Sequence, residues 1–345
     1  MVPLLLAAAL QTVQPAEVKS FGRWSVGCDN GRACRAVSLL GHEDEEVPPM
    51  ALDRGPERQA RPVLTFPGRA DRCTSFAMFV DGKRLAQSLD LGCGAARAQA
   101  LAAATDAVVA AMRSSDRLQI RDRSGKLVAH YSLTGAAAAL RYMDSVQRRV
   151  GTVTALVALG SRPASAVPAP PPLPVVREVR PARPGKGPPL ARALVGTWRA
   201  RHRCERVGNQ PEPSYRLDDS HFLFVIVCQG GSRDLWPMVL TATRRDGRDA
   251  RPARFDYDSS YGEGDPAPTA PVNASWDVAK GRLTSGWSGE CGFVEEWAWD
   301  GSRFRLAEHV EMVSGTIDRF SRNCSSGLDF WIPTWRARVV RARGR

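Results

Sequence analysis

The segment Ser20-Phe-Gly-Arg-Trp-Ser-Val-Gly-Cys-Asp-Asn-Gly-Arg-Ala-Cys-Arg-Ala-Val37 constrains this chain more than any other. Apolar and polar residues alternate along it, break at Asp29-Asn30-Gly31 and resume, which is the pattern of a β-hairpin. With Asn30-Gly31-Arg32 as the loop, Asp29 faces Ala33 and Cys28 faces Cys34 directly across the ladder. Cysteines so placed come close enough for an S–S bond.

Eight cysteines divide evenly along the chain: Cys28, Cys34, Cys73 and Cys93, then Cys204, Cys228, Cys291 and Cys324. Zinc sites favour close Cys-x-x-Cys pairs, and none occurs, so disulfides in an exported chain are the stronger reading. Sequential pairing (28–34, 73–93, 204–228, 291–324) is expected, although four cysteines in each half permit three connectivities. Residues 1–16 are expected to be a signal peptide: Met1 to Leu10 is apolar and too short to span a bilayer, and Ala7 and Ala9 offer a cleavage site. A periplasmic or secreted location follows, with no transmembrane segment.

The net charge of +12 looks like a nucleic-acid footprint until it is located. Residues 161–192 carry six basic side chains against Glu178 alone, and five arginines (336, 338, 341, 343 and 345) crowd the last ten positions. Only five of the 48 basic residues are lysine, an arginine bias that fits genome composition better than a selected binding face. Nucleic acid is therefore not an expected partner. An envelope protein or an anionic surface is.

Residues 17–160 read as an α+β domain of antiparallel sheet with two helices. Strands are expected at Val63–Phe66, Ser75–Val80, Lys83–Leu89, Arg117–Asp122 and Lys126–Leu133, with turns at Asp81-Gly82 and Ser124-Gly125. Helical spacing appears from Ala95 to Arg113, and again after Thr134, which is placed as the cap of a helix to about Gln147. Thr152–Leu159 reads as a short helix stopped by Gly160, with a strand as the alternative. Residues 161–192 hold ten prolines and read as a semi-rigid linker. Residues 193–345 read as an all-β domain, an antiparallel barrel or sandwich. Its strands are expected at Thr197–Arg203, Phe222–Cys228, Trp236–Thr243, Ala253–Tyr257, Val272–Asp277, Arg282–Trp287, Phe293–Trp299, Phe304–Met312 and Trp331–Val340.

No catalytic constellation is legible. His42, His130, His202, His221 and His309 form no His-x-x-x-His pair, and no Gly-x-Ser-x-Gly turn exists. Asp256, Asp258, Glu263 and Asp265 make the densest carboxylate cluster and the one calcium candidate. The sixth position of the corresponding loop is Tyr261 where glycine is needed, so a solvated acidic loop is the stronger reading. Glu295, Glu296 and Asp300 could act as paired acids, but are expected on the wet side of a strand. Gly196-Thr-Trp198 has the Gly-x-Trp form that opens lipocalin-type barrels, although a buried tryptophan starting a strand is the stronger reading.

The hairpin Phe21 to Arg35 resembles the opening of an uncharacterised proteobacterial exported family, domain of unknown function 1176. Gly151-Thr-Val-Thr-Ala-Leu-Val157, Val272-Asn-Ala-Ser-Trp-Asp277, Gly289-Glu-Cys-Gly292 and Glu296-Trp-Ala-Trp-Asp-Gly301 are similar too. The chain departs from the family pattern at Ser285–Glu290 and Asn323–Gly327. The first domain is distantly similar to invasion-associated locus B proteins, which share a hairpin bearing Trp and Cys. The resemblance implies an exported, disulfide-bearing envelope protein and supplies no catalytic residues. The function expected is a non-enzymatic binding or interaction protein without a cofactor. An envelope hydrolase using carboxylates of the second domain and a lipocalin-like small-ligand carrier are the alternatives.

Overall fold

The computed structural model describes residues 13–39, 49–66, 75–90, 98–100, 102–204, 212–230, 234–257, 271–286, 292–312 and 331–342. The first ladder is built as its alternation dictates. Strands β1 (Lys19–Phe21), β2 (Trp24–Cys28), β3 (Cys34–Ser38), β4 (Ala51–Arg54) and β5 (Pro62–Phe66) follow one another antiparallel. Cys28 pairs with Cys34 in register and is bonded to it. Next come β6 (Ser75–Val80), β7 (Lys83–Asp90), β8 (Ala98–Gln99), α1 (Ala102–Ala111), β9 (Arg117–Arg121), β10 (Leu127–Ser132) and α2 (Ala136–Val146). They complete two sheets, ordered β1-β2-β3-β4-β5-β8 and β10-β9-β6-β7. Trp24, Leu52, Leu64, Met78, Leu118 and Met143 share one core with both helices.

Two local expectations are corrected here. Thr134 does not cap α2. Its carbonyl accepts from Arg23 N (2.9 Å), and Gly135, at φ +89°, takes the cap position. A Cβ on Gly135 would stand 1.9 Å from Phe21 O, so glycine is what lets the β1–β2 turn approach. Thr152–Leu159 forms neither helix nor strand but a compact loop, because Asp144 draws its amides inward.

The proline-rich stretch is laid along the molecule. A 3-10 turn at Ala164–Ala166 precedes β11 (Val175–Glu178), which pairs in parallel with the last strand, β21 (Arg338–Arg341). Val167, Val176, Pro181 and Leu190 are buried. Beyond it lies α3 (Arg192–Arg201), where a strand over Thr197–Arg203 is expected. The reason is legible in retrospect: Leu190, Leu194 and Trp198 recur every four residues and pack on Phe222 and Phe224. Gly196-Thr197-Trp198 is therefore helical and opens no barrel.

The rest is antiparallel sheet. β12 (Ser214–Arg216), β13 (Phe222–Gly230), β14 (Leu235–Ala242) and β15 (Arg251–Pro252) form one sheet. β16 (Ser275–Asp277), β17 (Arg282–Gly286), β18 (Phe293–Trp299), β19 (Phe304–Met312) and β20 (Trp331–Arg336) form another. Neither closes on itself among the described residues, so the barrel alternative fails. Leu223, Val225 and Val239 share a core with Trp276, Trp297, Trp299 and Phe304, while Phe222, Phe224 and Ile226 face α3. A strand covered on both faces needs the unbroken apolar run that Phe222–Cys228 supplies. The molecule is thus mostly β, with several antiparallel sheets and three helices among the described residues, none long and apolar enough to cross a membrane.

Candidate functional site

Of the calcium candidates, only Asp256 lies among the described residues; Asp258, Glu263 and Asp265 lie outside them. Asp256 is committed to the fold. Its Oδ1 accepts from Leu306 N (2.9 Å) and its Oδ2 lies 3.6 Å from Arg305, which also pairs with Asp300 at 2.6 Å. Burial raises the Asp256 carboxyl above the usual range, against the pull of the Leu306 amide and Arg305. Cys204 and Cys228 are bonded to each other; Cys73, Cys93, Cys291 and Cys324 lie outside the described residues.

Glu295 corrects the expectation of a wet strand face. It shares strand parity with Trp297 and Trp299 and is fully buried, whereas Glu296 on the opposite face meets Lys280 at 3.4 Å. Ser285 Oγ donates to Glu295 Oε2 (2.7 Å) and accepts from Trp297 Nε1 (3.0 Å). His309 Nε2 lies 3.8 Å from Glu295 Oε1, and its Nδ1 is 2.6 Å from Thr334 Oγ1. The ring stacks on Phe293, and burial lowers its pKa to about 4. At neutral pH His309 is uncharged, so its approach to Glu295 is not an ion pair.

A hydrolytic relay places histidine between serine and carboxylate. Here the carboxylate stands between them, and Ser285 is itself buried. The second histidine cluster has a related defect. Asp218 Oδ2 accepts from Trp299 Nε1 (2.7 Å), and His221 Nδ1 lies 2.8 Å from the same oxygen and 3.1 Å from Ser220 Oγ. One ring nitrogen therefore meets both groups that a relay would hold on opposite nitrogens. Burial works against the Asp218 carboxylate, yet hydrogen bonds from Trp299, Ser220 and His221 keep its pKa below the usual range. Both clusters are arranged to hold strands and turns.

A different arrangement stands out at residues 148–162. Asp144, at the buried face of α2, accepts from Leu156 N (2.7 Å), Val157 N (2.9 Å) and Ala158 N (3.1 Å), and pairs with Arg54 at 3.4 Å. Burial, with Arg149 beside it, lowers the Arg54 pKa to about 10 against the pull of Asp144. Arg149 is fully buried and donates to Arg58 O (2.7 Å), Thr154 Oγ1 (3.1 Å) and Glu57 O. Gly151 N to Ala158 O (2.7 Å) and Val153 N to Arg162 O (2.8 Å) tie the loop across its own width. Ala155 and Leu156 point into the core, while Val150, Val153 and Leu159 are 45%, 56% and 52% exposed.

Exposed arginines border this loop. Arg148 lies in it, Arg162 donates to Val150 O, Arg113 to Leu156 O (2.8 Å) and Arg58 to Val167 O (2.8 Å). No Asp or Glu occurs from residue 145 to 177. The only exposed carboxylate side chain on the neighbouring 55–60 turn is Glu57. Reading Thr152–Leu159 as a helix hid the site. The signal that could have found it is an apolar run between two glycines inside an acid-free stretch.

Among known proteins, the chain is 27% identical over 357 residues to the uncharacterized protein YpfG of Escherichia coli (strain K12), covering 96% of each. It is also similar to the crystal structure of invasion associated protein b from Bartonella henselae. That match covers 38% of this chain and 99% of that one, at 18% identity and a TM-score of 0.27. A family model described as protein of unknown function (DUF1176) matches residues 18–320, and the chain belongs to that family.

Proposed function

We propose that this protein is an exported, disulfide-stabilised envelope protein that binds a partner and performs no chemistry of its own. The observation that carries the reading is the pair of oxidised bridges, Cys28–Cys34 and Cys204–Cys228. Such bonds persist in oxidising compartments and are rare in a reducing cytosol. Binding rather than catalysis is supported by how the buried polar groups are used. Ser285, Glu295, Asp218 and Asp144 direct their hydrogen bonds to strands, turns and loop amides. A division into two units, residues 17–160 and 193–345 joined by the proline-rich stretch, belongs to the same proposal. It is supported by the separate cores around Trp24 and Trp297.

The test is thiol trapping in intact cells, followed by fractionation and mass spectrometry of non-reduced peptides. Linked Cys28–Cys34 and Cys204–Cys228 peptides in the periplasmic fraction are the expected result. Free thiols throughout, in a cytoplasmic fraction, overturn export. Labelling of Ser285 by a fluorophosphonate would overturn the non-enzymatic part.

A further inference from the structure

We infer that the 148–162 loop docks onto an anionic phospholipid surface, inserting Val150, Val153 and Leu159 while the surrounding arginines meet lipid phosphates. This rests on the reading above and names the partner of one surface. Exposed aliphatic side chains scattered singly are ordinary. These three fall within ten residues, on a loop whose backbone is pinned by Asp144, Arg54, Arg149 and its own cross-loop hydrogen bonds. A loop free to rearrange would fold such side chains inward, as it does Ala155 and Leu156. The buried polar network instead fixes the three in water.

The surrounding charge selects the partner. Arg58, Arg113, Arg148 and Arg162 are exposed and tied to this loop or its margin, and Glu57 is the single exposed acid on the turn that holds it. Three half-exposed aliphatic side chains are far smaller than the roughly 800 Å² per partner that a stable protein interface needs. They do suit a bilayer, where shallow apolar insertion is weak alone and becomes useful when cationic side chains add to it. Long guanidinium side chains can follow a fluid array of phosphates that a fixed protein surface would have to match atom by atom.

The test is co-sedimentation of the full-length oxidised protein with vesicles of phosphatidylcholine alone and with roughly one quarter phosphatidylglycerol. Binding to the anionic vesicles only, weakened by salt, is expected. The double variant Val153→Asp/Leu159→Asp should lower it by about tenfold or more, and Arg148→Glu by several-fold. Leu127→Asp/Val128→Asp, at the exposed end of β10, should leave it unchanged. Near-ultraviolet circular dichroism and the two linked peptides verify that each variant is folded.

Any of four results overturns the inference. They are equal binding to neutral vesicles, no binding, full retention by the Val153/Leu159 variant, and displacement by soluble glycerol phosphate, which would mean a headgroup site. Sedimentation velocity adds a fifth: loss of self-association in that variant would assign the loop to a second copy of the chain. Thiol state is read in the same preparations. Oxidised periplasmic protein that ignores vesicles sinks this inference alone, whereas reduced cytoplasmic protein sinks the reading beneath it.

Discussion

His309 is 5% exposed, with Phe293 stacked on its ring and Thr334 on Nδ1, so charging it inside the fold is costly. Its folded pKa of about 4 lies below the unfolded value of 6.5. The unfolded chain therefore binds the proton first as the pH falls. Stability is full above the unfolded value and declines between about 6.5 and about 4, by roughly 3 kcal/mol for this group. Urea denaturation across that window should show the slope, and His309→Asn should flatten it. An unchanged slope in the variant would place the titration elsewhere. Asp144 is the second residue on which much depends. Asp144→Ala orphans the amides of Leu156, Val157 and Ala158 and leaves Arg54 buried without a carboxylate. We expect a loss of about 3–5 kcal/mol in urea, because an uncompensated buried charge costs that much. Sequence shows Asp144 as one polar position in an amphipathic helix. Its three partners are backbone groups of a loop, and backbone groups carry no residue code.

Elements were legible where pattern and turn chemistry agreed. The Cys28–Cys34 register follows from alternation around a three-residue loop, and Asp81-Gly82 and Ser124-Gly125 each place glycine at positive φ. They were illegible where a nonlocal partner decided. β4 is a four-residue strand followed by a turn, held because β3 and β5 flank it. Glu295 is buried because its strand parity with Trp297 prevails over the preference of its charge for water. The two bridges allow an element-scale prediction. They span 6 and 24 residues, so in the chain-entropy model they contribute about 2 and about 3.5 kcal/mol. Replacing each pair by serine should lower the urea midpoint more for Cys204/Cys228 than for Cys28/Cys34. The reverse order would mean that packing around the hairpin outweighs loop closure. Gly135→Ala should cost more than the first bridge, because its Cβ would collide with Phe21 O, a backbone atom that cannot swing aside.

The two halves meet at β20. Ile332 packs against Val18, Val37 and Ala51, and a Cβ on Gly27 would stand 2.5 Å from Ile332 Cγ2. Around that apolar contact, Asn30 and Arg336 exchange hydrogen bonds at 3.0 and 2.8 Å, and Arg35 donates to Trp331 O at 2.8 Å. Arg336 also pairs with Asp29, whose carboxylate is fully buried and accepts from Gly31 N and Ala33 N in the hairpin turn. The hairpin that best marks the sequence thus doubles as the socket for a strand some 300 residues later. The parallel pairing of β11 with β21 binds the proline-rich stretch into the same junction. Two cores joined by so specific a contact should unfold together, with tryptophan fluorescence and far-ultraviolet circular dichroism tracing one urea transition. Ile332→Ala with Arg336→Ala removes the apolar plug and leaves Asp29 without its cation. The expected outcome is two separated transitions, the earlier one spanning less surface and so showing a smaller dependence on urea than the native step. A single transition merely shifted to lower urea would mean that the junction stabilises one indivisible body rather than coupling two.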